Sequence, residues 1–217
     1  LGRMLGFEFP KNFNAPYLSD SVTDIWRRWH ISLSTWLRDY LYFPLGGNRK
    51  GNRRTYINLI LVMLLGGLWH GAKWNFIAWG AFHGTFLAFE RWRGKKSVYE
   101  RWPRIVRIAL TFMFMLLSWV LFRAENLTAA IAYYRSMFGM ADVHSGAALV
   151  AAELYTPYLL LMMCICAALV FQRLQAHDWV AQKPQTWSRG ALVLILFALS
   201  LVAMFTQAFN PFLYFQF

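Results

Sequence analysis

The sequence predicts an all-α fold, a polytopic bundle of membrane helices with short, glycine-broken helices around a buried histidine. Three observations predict it. Of 217 residues, 58% are hydrophobic and only 15% charged, against about 25% charged in a soluble domain. The basic residues, 22 Lys and Arg against 10 Asp and Glu, cluster between apolar runs, as in the cytoplasmic loops of a membrane protein. Finally, the stretch GGLWHGAKWNF, residues 66–76, sets His70 among glycines and aromatic rings in one of the most apolar parts of the chain.

Residues 1–18 form a Gly/Pro/Asn-punctuated opening segment without a clear period. No charged n-region precedes an apolar h-region, so no signal peptide is expected, and the chain, which opens at Leu1, reads as a piece of something longer. At SVTD the pattern changes: Ser21 as N-cap with Asp24 three residues on is a capping box, and predicts a helix from there to about Phe43. Trp26, Trp29, His30, Leu33, Trp36, Leu37 and Tyr40 recur on one broad face, with Arg27, Arg28 and Arg38 off it. That is the pattern of an amphipathic helix at a membrane interface. FPLGGNRKGNRR then supplies a basic turn.

From Tyr56 to Glu90 the chain is apolar apart from Lys73 and two histidines. One helix of that length would run about 50 Å, too long for a hydrocarbon core of about 30 Å, and two full spans of about 20 residues do not fit either. Gly67/Gly71 and Gly80/Gly84 have GxxxG spacing, which predicts short, closely packed helices bent or broken near His70. RWRGKKSVYERWPR is a second basic loop. Further spans are expected over about 105–122, 154–170 and 191–209, joined by a slightly acidic loop 123–153 and a polar loop 172–189. The positive-inside rule places loops 49–54, 91–107 and 172–189 in the cytoplasm and 123–153 outside. Cys164 and Cys166 lie inside an apolar span and read as packing residues rather than a disulfide or metal site. The whole chain is read as part of one membrane domain.

A net charge of +12 would point to nucleic acid in a soluble protein. Here no RNA-binding signature is present and every basic cluster has large apolar neighbours, so nucleic acid is not an expected partner. No HExxH, GxSxG or glycine-rich phosphate loop occurs. No histidine is followed by an aspartate five residues on, so the HxxxxD arrangement of glycerolipid acyltransferases is absent. The apolar spans carry no carboxylate except near their ends, which argues against a proton-coupled transporter.

Of the five histidines, His144 and His177 fall in predicted loops. His83 reads as a packing or hydrogen-bonding residue ahead of a catalytic one: thirteen residues after His70, it would not share that residue's face unless the helix breaks between them. His30 stands evenly between an interfacial histidine and a site residue. His70 is the candidate base, because ionisable groups within a membrane are rare and usually face a functional cavity. In a water-poor pocket a neutral imidazole can accept a proton.

WRRWHISLSTWLRDYLYFPLGGNRKG, followed by GLWHGAKWNFIAWGAFHG, resembles the membrane-bound O-acyltransferase family, most of all its bacterial alginate O-acetyltransferase branch, and the ending FNPFLYFQF is similar too. The resemblance runs over essentially the whole chain and implies the C-terminal part of a many-helix bundle with a central funnel, whose N-terminal helices lie outside this chain. It implies that His70 of the WHG motif is catalytic and that His30 occupies the position of a second polar site residue. It also implies transfer of an acyl group, with acetyl expected, from a thioester donor such as acetyl-CoA or an acyl-carrier protein. The acceptor would be hydroxyls of an extracytoplasmic polysaccharide such as alginate. No bound cofactor or metal is expected. The implied setting is the bacterial inner membrane, with membrane lipid and periplasmic acetyltransferase proteins as partners. The competing readings are a transporter or flippase that uses the broken helix at Gly66–Gly71 as a substrate site, and a purely structural half of the bundle.

Overall fold

The computed structural model describes residues 5–94, 101–141, 155–173, 175, 176, 178, 179 and 186–206. Among these the regular structure is entirely helical. The chain divides into two units, Leu1–Arg173 and Leu174–Phe217.

In the first unit a 3₁₀ turn, Pro16–Leu18, leads into α1, Val22–Arg28, and α2, Ile31–Trp36, which passes into a π-helical turn at Leu37–Tyr42. The helix expected to run unbroken from Ser21 to Phe43 is therefore in three pieces. The break is at His30, whose φ of 46° and ψ of 55° are left-handed. A non-glycine residue there costs about 1–3 kcal/mol and must be held by its surroundings. The opening segment holds it: the Asn12 carbonyl accepts the Ile31 N–H at 2.9 Å, and Asn12 Oδ1 accepts from the Ser32 N–H and hydroxyl at 3.1 and 3.0 Å. The aromatic face is corrected as well. Val22, Ile25 and Leu37 are buried, whereas Trp36 and Tyr40 are exposed.

α3, Gly51–His70, and α4, Trp74–Trp92, form an antiparallel hairpin. They are longer than expected because each recruits residues from its flanking basic loop: α3 begins four residues before Thr55, through Arg53 and Arg54, and α4 continues through Arg91. At 20 and 19 residues each reaches about 30 Å. Gly67, Gly80 and Gly84 let the two backbones touch. A methyl at Gly67 would overlap the Phe76 carbonyl, one at Gly80 the Met63 carbonyl, and one at Gly84 would stand 2.8 Å from Ile60 Cα. Gly71 leaves this pairing and turns the chain at φ 155°, a conformation open to glycine and to few other residues.

α5, Arg104–Arg123, buries Thr111, Phe114, Met115 and Ser118 on one face. α1 packs on it, with Val22 and Ile25 against Phe114 and Met115. The Arg107–Asp20 ion pair at 3.0 Å ties α5 to the turn just before α1. The acidic stretch after α5, expected as a loop, contains α6, Leu127–Met137, capped by Asn126 and anchored to α5 by the Tyr134 hydroxyl, which donates to the Leu117 carbonyl at 2.6 Å. α7, Pro157–Val170, is a 14-residue apolar helix capped by Thr156, short of the roughly 20 residues of a full span. Cys164 and Cys166 are exposed on it rather than packed inside.

In the second unit α8, Trp187–Thr206, is with α5 one of two described helices long and apolar enough to cross a membrane. Arg189 at its start lies 3.9 Å over the Trp179 ring and donates to the Trp179 carbonyl at 2.6 Å.

Candidate functional site

The hairpin turn sets the first candidate. His70 is the last residue of α3, and Gly71 at once turns the chain away. The imidazole stands edge to face against Trp79 of α4 at 5.4 Å and Phe122 of α5 at 5.0 Å, with Phe76 at 6.4 Å completing an aromatic enclosure. Asn75 locks the start of α4 to the end of α5: its amide donates to the carbonyls of Leu121 and Ala124 at 3.2 and 2.8 Å, beside Phe122. His70 is half-buried. Among the described histidines the fully buried one is His83, at 0% exposure, which corrects the expectation of a buried histidine at position 70. His70 ends a helix and so keeps one side open, whereas His83 lies mid-helix where α1 and α5 cover it.

α1 brings in the second candidate. Its first three N–H groups, which no carbonyl of the helix can reach, are all satisfied. Glu90 takes those of Val22 and Thr23, each at 2.8 Å, and the Ser21 hydroxyl takes that of Asp24 at 3.0 Å. Ser21 thus caps as the sequence predicts, but the carboxylate that completes the cap is Glu90 of α4; Asp24 pairs instead with Arg28 at 2.8 Å. From this anchor α1 runs back along α4, bringing Trp26 to His83, and the left-handed turn then delivers His30 to within electrostatic reach of His70. His30 also lies 3.5 Å from the Ser32 hydroxyl.

His83 does not join them directly. It lies on the far side of Trp79, 4.7 Å from that ring. The expectation that His70 and His83 would not share a helix face holds only for an unbroken helix, and α3 and α4 are separate; one tryptophan lies between the two rings. His144 and His177 lie outside the described residues.

On the other side of Trp26 a cleft of about 800 Å³ opens between α1–α2 and the hairpin. Leu37, Val62, Met63 and Leu87 give it an apolar wall, and Arg27, Arg38 and Arg91 a basic one. The three arginines singled out from the sequence therefore separate. Arg27 and Arg38 line the cleft, while Arg28 is held by Asp24. Arg38 also forks onto Asp39 at 2.7 and 3.1 Å, and the guanidinium holds that carboxyl below the usual carboxylate range.

The sequence did not flag Asn12, which clamps the His30 turn, Glu90, which caps α1 from 67 residues away, or Trp79, the ring shared by His70 and His83. Their roles depend on long-range contacts that no local pattern carries.

The sequence model of the membrane-bound O-acyltransferase family matches residues 3–92, the stretch that supplies His30, His70, His83 and the cleft. The chain is 45% identical to the probable alginate O-acetylase AlgI of Pseudomonas putida over all of this chain and 48% of that protein. It is 44% identical to the protein of that name from Azotobacter vinelandii, over all of this chain and 50% of the relative. It is 45% identical to the peptidoglycan O-acetyltransferase of Helicobacter pylori, over 66% of this chain and 28% of that protein. The chain spans about half the length of the alginate O-acetylases it matches.

Proposed function

Because the chain belongs to the membrane-bound O-acyltransferase family, we propose that it is part of an O-acyltransferase of the bacterial inner membrane. Acetyl is the group moved, from a cytoplasmic thioester, acetyl-CoA or an acyl-carrier protein, toward hydroxyls of an extracytoplasmic polysaccharide such as alginate. Periplasmic acetyltransferase proteins would complete the transfer. The relatives' names support the reaction class: one is named a probable alginate O-acetylase and another a peptidoglycan O-acetyltransferase.

The observation that carries the proposal is the enclosure of His70 by the Trp79 and Phe122 rings at the hairpin turn, within the stretch that the family's sequence model matches. A neutral imidazole there removes the proton of an acceptor hydroxyl as its oxygen attacks the thioester carbonyl; the thiolate leaves and is protonated as the thiol. His30 orients the acceptor or the carbonyl. Aromatic walls exclude water, which directs the thioester to the hydroxyl instead of hydrolysis.

The cleft supports a donor route from the basic end of the hairpin. Arg53, Arg54, Arg91 and Arg93 gather at that end, which the positive-inside rule assigns to the cytoplasm. Arg27, Arg38 and Arg91 are placed for phosphate groups of a donor, and the apolar wall for its acyl arm. This favours donor contact over simple lipid anchoring for Arg27 and Arg38. Cells carrying the full-length protein should incorporate labelled acetate into polymer. Label that accumulates in cells or crosses the membrane without ester formation would favour the transporter reading instead.

A further inference from the structure

We propose that His83 is a positioning residue of this site: its Nδ1 holds the Trp26 indole, and the pair fixes Trp79, the ring against which His70 is oriented. The proposal rests on the reading of His70 as the base.

His83 is fully buried among rings, with Trp79 at 4.7 Å, Phe114 at 5.2 Å, Trp26 at 5.3 Å and Phe82 at 6.0 Å. A polar side chain buried there is costly unless hydrogen-bonded, and a phenylalanine would fill the space without that cost. The imidazole makes one directional contact that phenylalanine cannot. The Trp26 Nε1–H donates to its Nδ1 at 3.2 Å. Indole nitrogen only donates, so Nδ1 is the acceptor and the neutral ring carries its proton on Nε2. That Nε2 is buried without a hydrogen-bond partner among the described residues, so the bond to Trp26 is the one that sets the ring's orientation.

From this bond a chain of rings leads to the site. Trp26 meets Trp79 edge to face at 5.9 Å, and Trp79 meets both His83 and, at 5.4 Å and 86°, His70. Trp26 also forms part of the cleft wall. One hydrogen bond therefore fixes the partition between the cleft and His70. Without it Trp26 and Trp79 gain rotational freedom, and the face that orients the His70 ring is no longer fixed. His83 touches no reacting atom and takes no proton in the reaction; it acts through the two tryptophans.

The test uses the full-length protein in membranes, with polymer acetylation measured at matched protein levels. His83→Phe fills the volume but cannot accept, Trp26→Phe keeps a ring but cannot donate, and His83→Asn places an amide oxygen near the lost Nδ1. The first two should each lower turnover about 10²-fold, the scale of a small misplacement of a reacting group, with the donor KM changed much less. The double variant should be no worse than either single one. His83→Asn should recover most of the activity, and the midpoint of the residual pH profile should stay where it was. Wild-type rates for His83→Phe and Trp26→Phe beside an inactive His70→Ala would overturn the proposal while leaving the base assignment intact, as would His83→Asn being as poor as His83→Phe. If His83→Phe fails to accumulate, Trp26→Phe against wild type decides. Full activity in His70→Ala would instead sink the reading on which the proposal rests.

Discussion

Glu90 of α4 reaches back to Thr23, accepting that residue's backbone N–H at 2.8 Å and its hydroxyl at 2.7 Å. One carboxylate thus starts α1 and docks it on the hairpin, and everything that α1 carries toward His70 depends on that anchor. Glu90→Gln keeps the length but loses the charge and one acceptor oxygen. Loss of a helix cap costs about 0.5–2 kcal/mol. The variant should show a lower unfolding temperature in detergent together with reduced acetylation. An unchanged melting profile would mean that α1 is held by its apolar contacts alone.

The left-handed backbone of His30 separates what its side chain does from what its backbone needs. Glycine and asparagine adopt φ 46° readily, alanine less so. His30→Asn and His30→Gly should accumulate at least as well as wild type, whereas His30→Ala should be less stable than His30→Gly by about 1 kcal/mol. All three should lose acetylation, because all three lose the imidazole. Normal acetylation by His30→Gly would make His30 a turn residue only.

Close approach of α3 and α4 predicts a position-specific response to an added methyl. Gly80→Ala would drive a side chain into the Met63 backbone and Gly67→Ala into that of Phe76, and backbone cannot yield as a side-chain tip does. Each should cost about 1–3 kcal/mol and lower the amount of protein in membranes. Gly190→Ala, with nothing within 4 Å of the new methyl, should be neutral. Quantitative blotting of membrane fractions compares the three.

The arginines should no longer behave as a set. Arg27→Gln should raise the apparent donor KM by about ten- to a hundredfold with insertion unchanged, since a charge-assisted hydrogen bond contributes about 1.5–3 kcal/mol. Arg38→Gln should do so less, its charge being shared with Asp39. Arg28→Gln, which loses the Asp24 pair, should leave the KM alone. Equal effects from all three, on membrane association rather than KM, would mean that the arginines anchor the helix to lipid headgroups instead.

Much of this arrangement is legible in the sequence wherever an element is fixed by its own residues. α5 was expected over about 105–122 and runs Arg104–Arg123, because a continuous apolar run bounded by arginines allows little else. Ser21 caps α1 as its spacing with Asp24 implies. The two histidine motifs carried the family. The break at His30 was not legible, because the groups that hold it belong to Asn12, eighteen residues earlier and outside the helix pattern. Nor was the difference in burial between His70 and His83. Both sit in equally apolar sequence, and the docking of α1 and α5 onto the middle of α4 decides which one is covered. Hairpin length was misjudged for a related reason: hydropathy ends where arginines begin, but helices do not.

The central claim is that His70 is the base of an acyl transfer, and His70→Ala tests it most directly. The residue is half-buried at the end of α3, so its truncation should leave the hairpin packed and the protein inserted at normal levels. A positioned base contributes about 10²–10⁴ in rate. Polymer acetylation in cells carrying the full-length variant at matched membrane levels should therefore fall to near background. Adding a His30 substitution should make it little worse, since groups acting as a unit are not additive, while His144→Ala and His177→Ala should match wild type. Near-normal acetylation by His70→Ala would contradict the account and remove the reason for placing the chemistry at the hairpin turn.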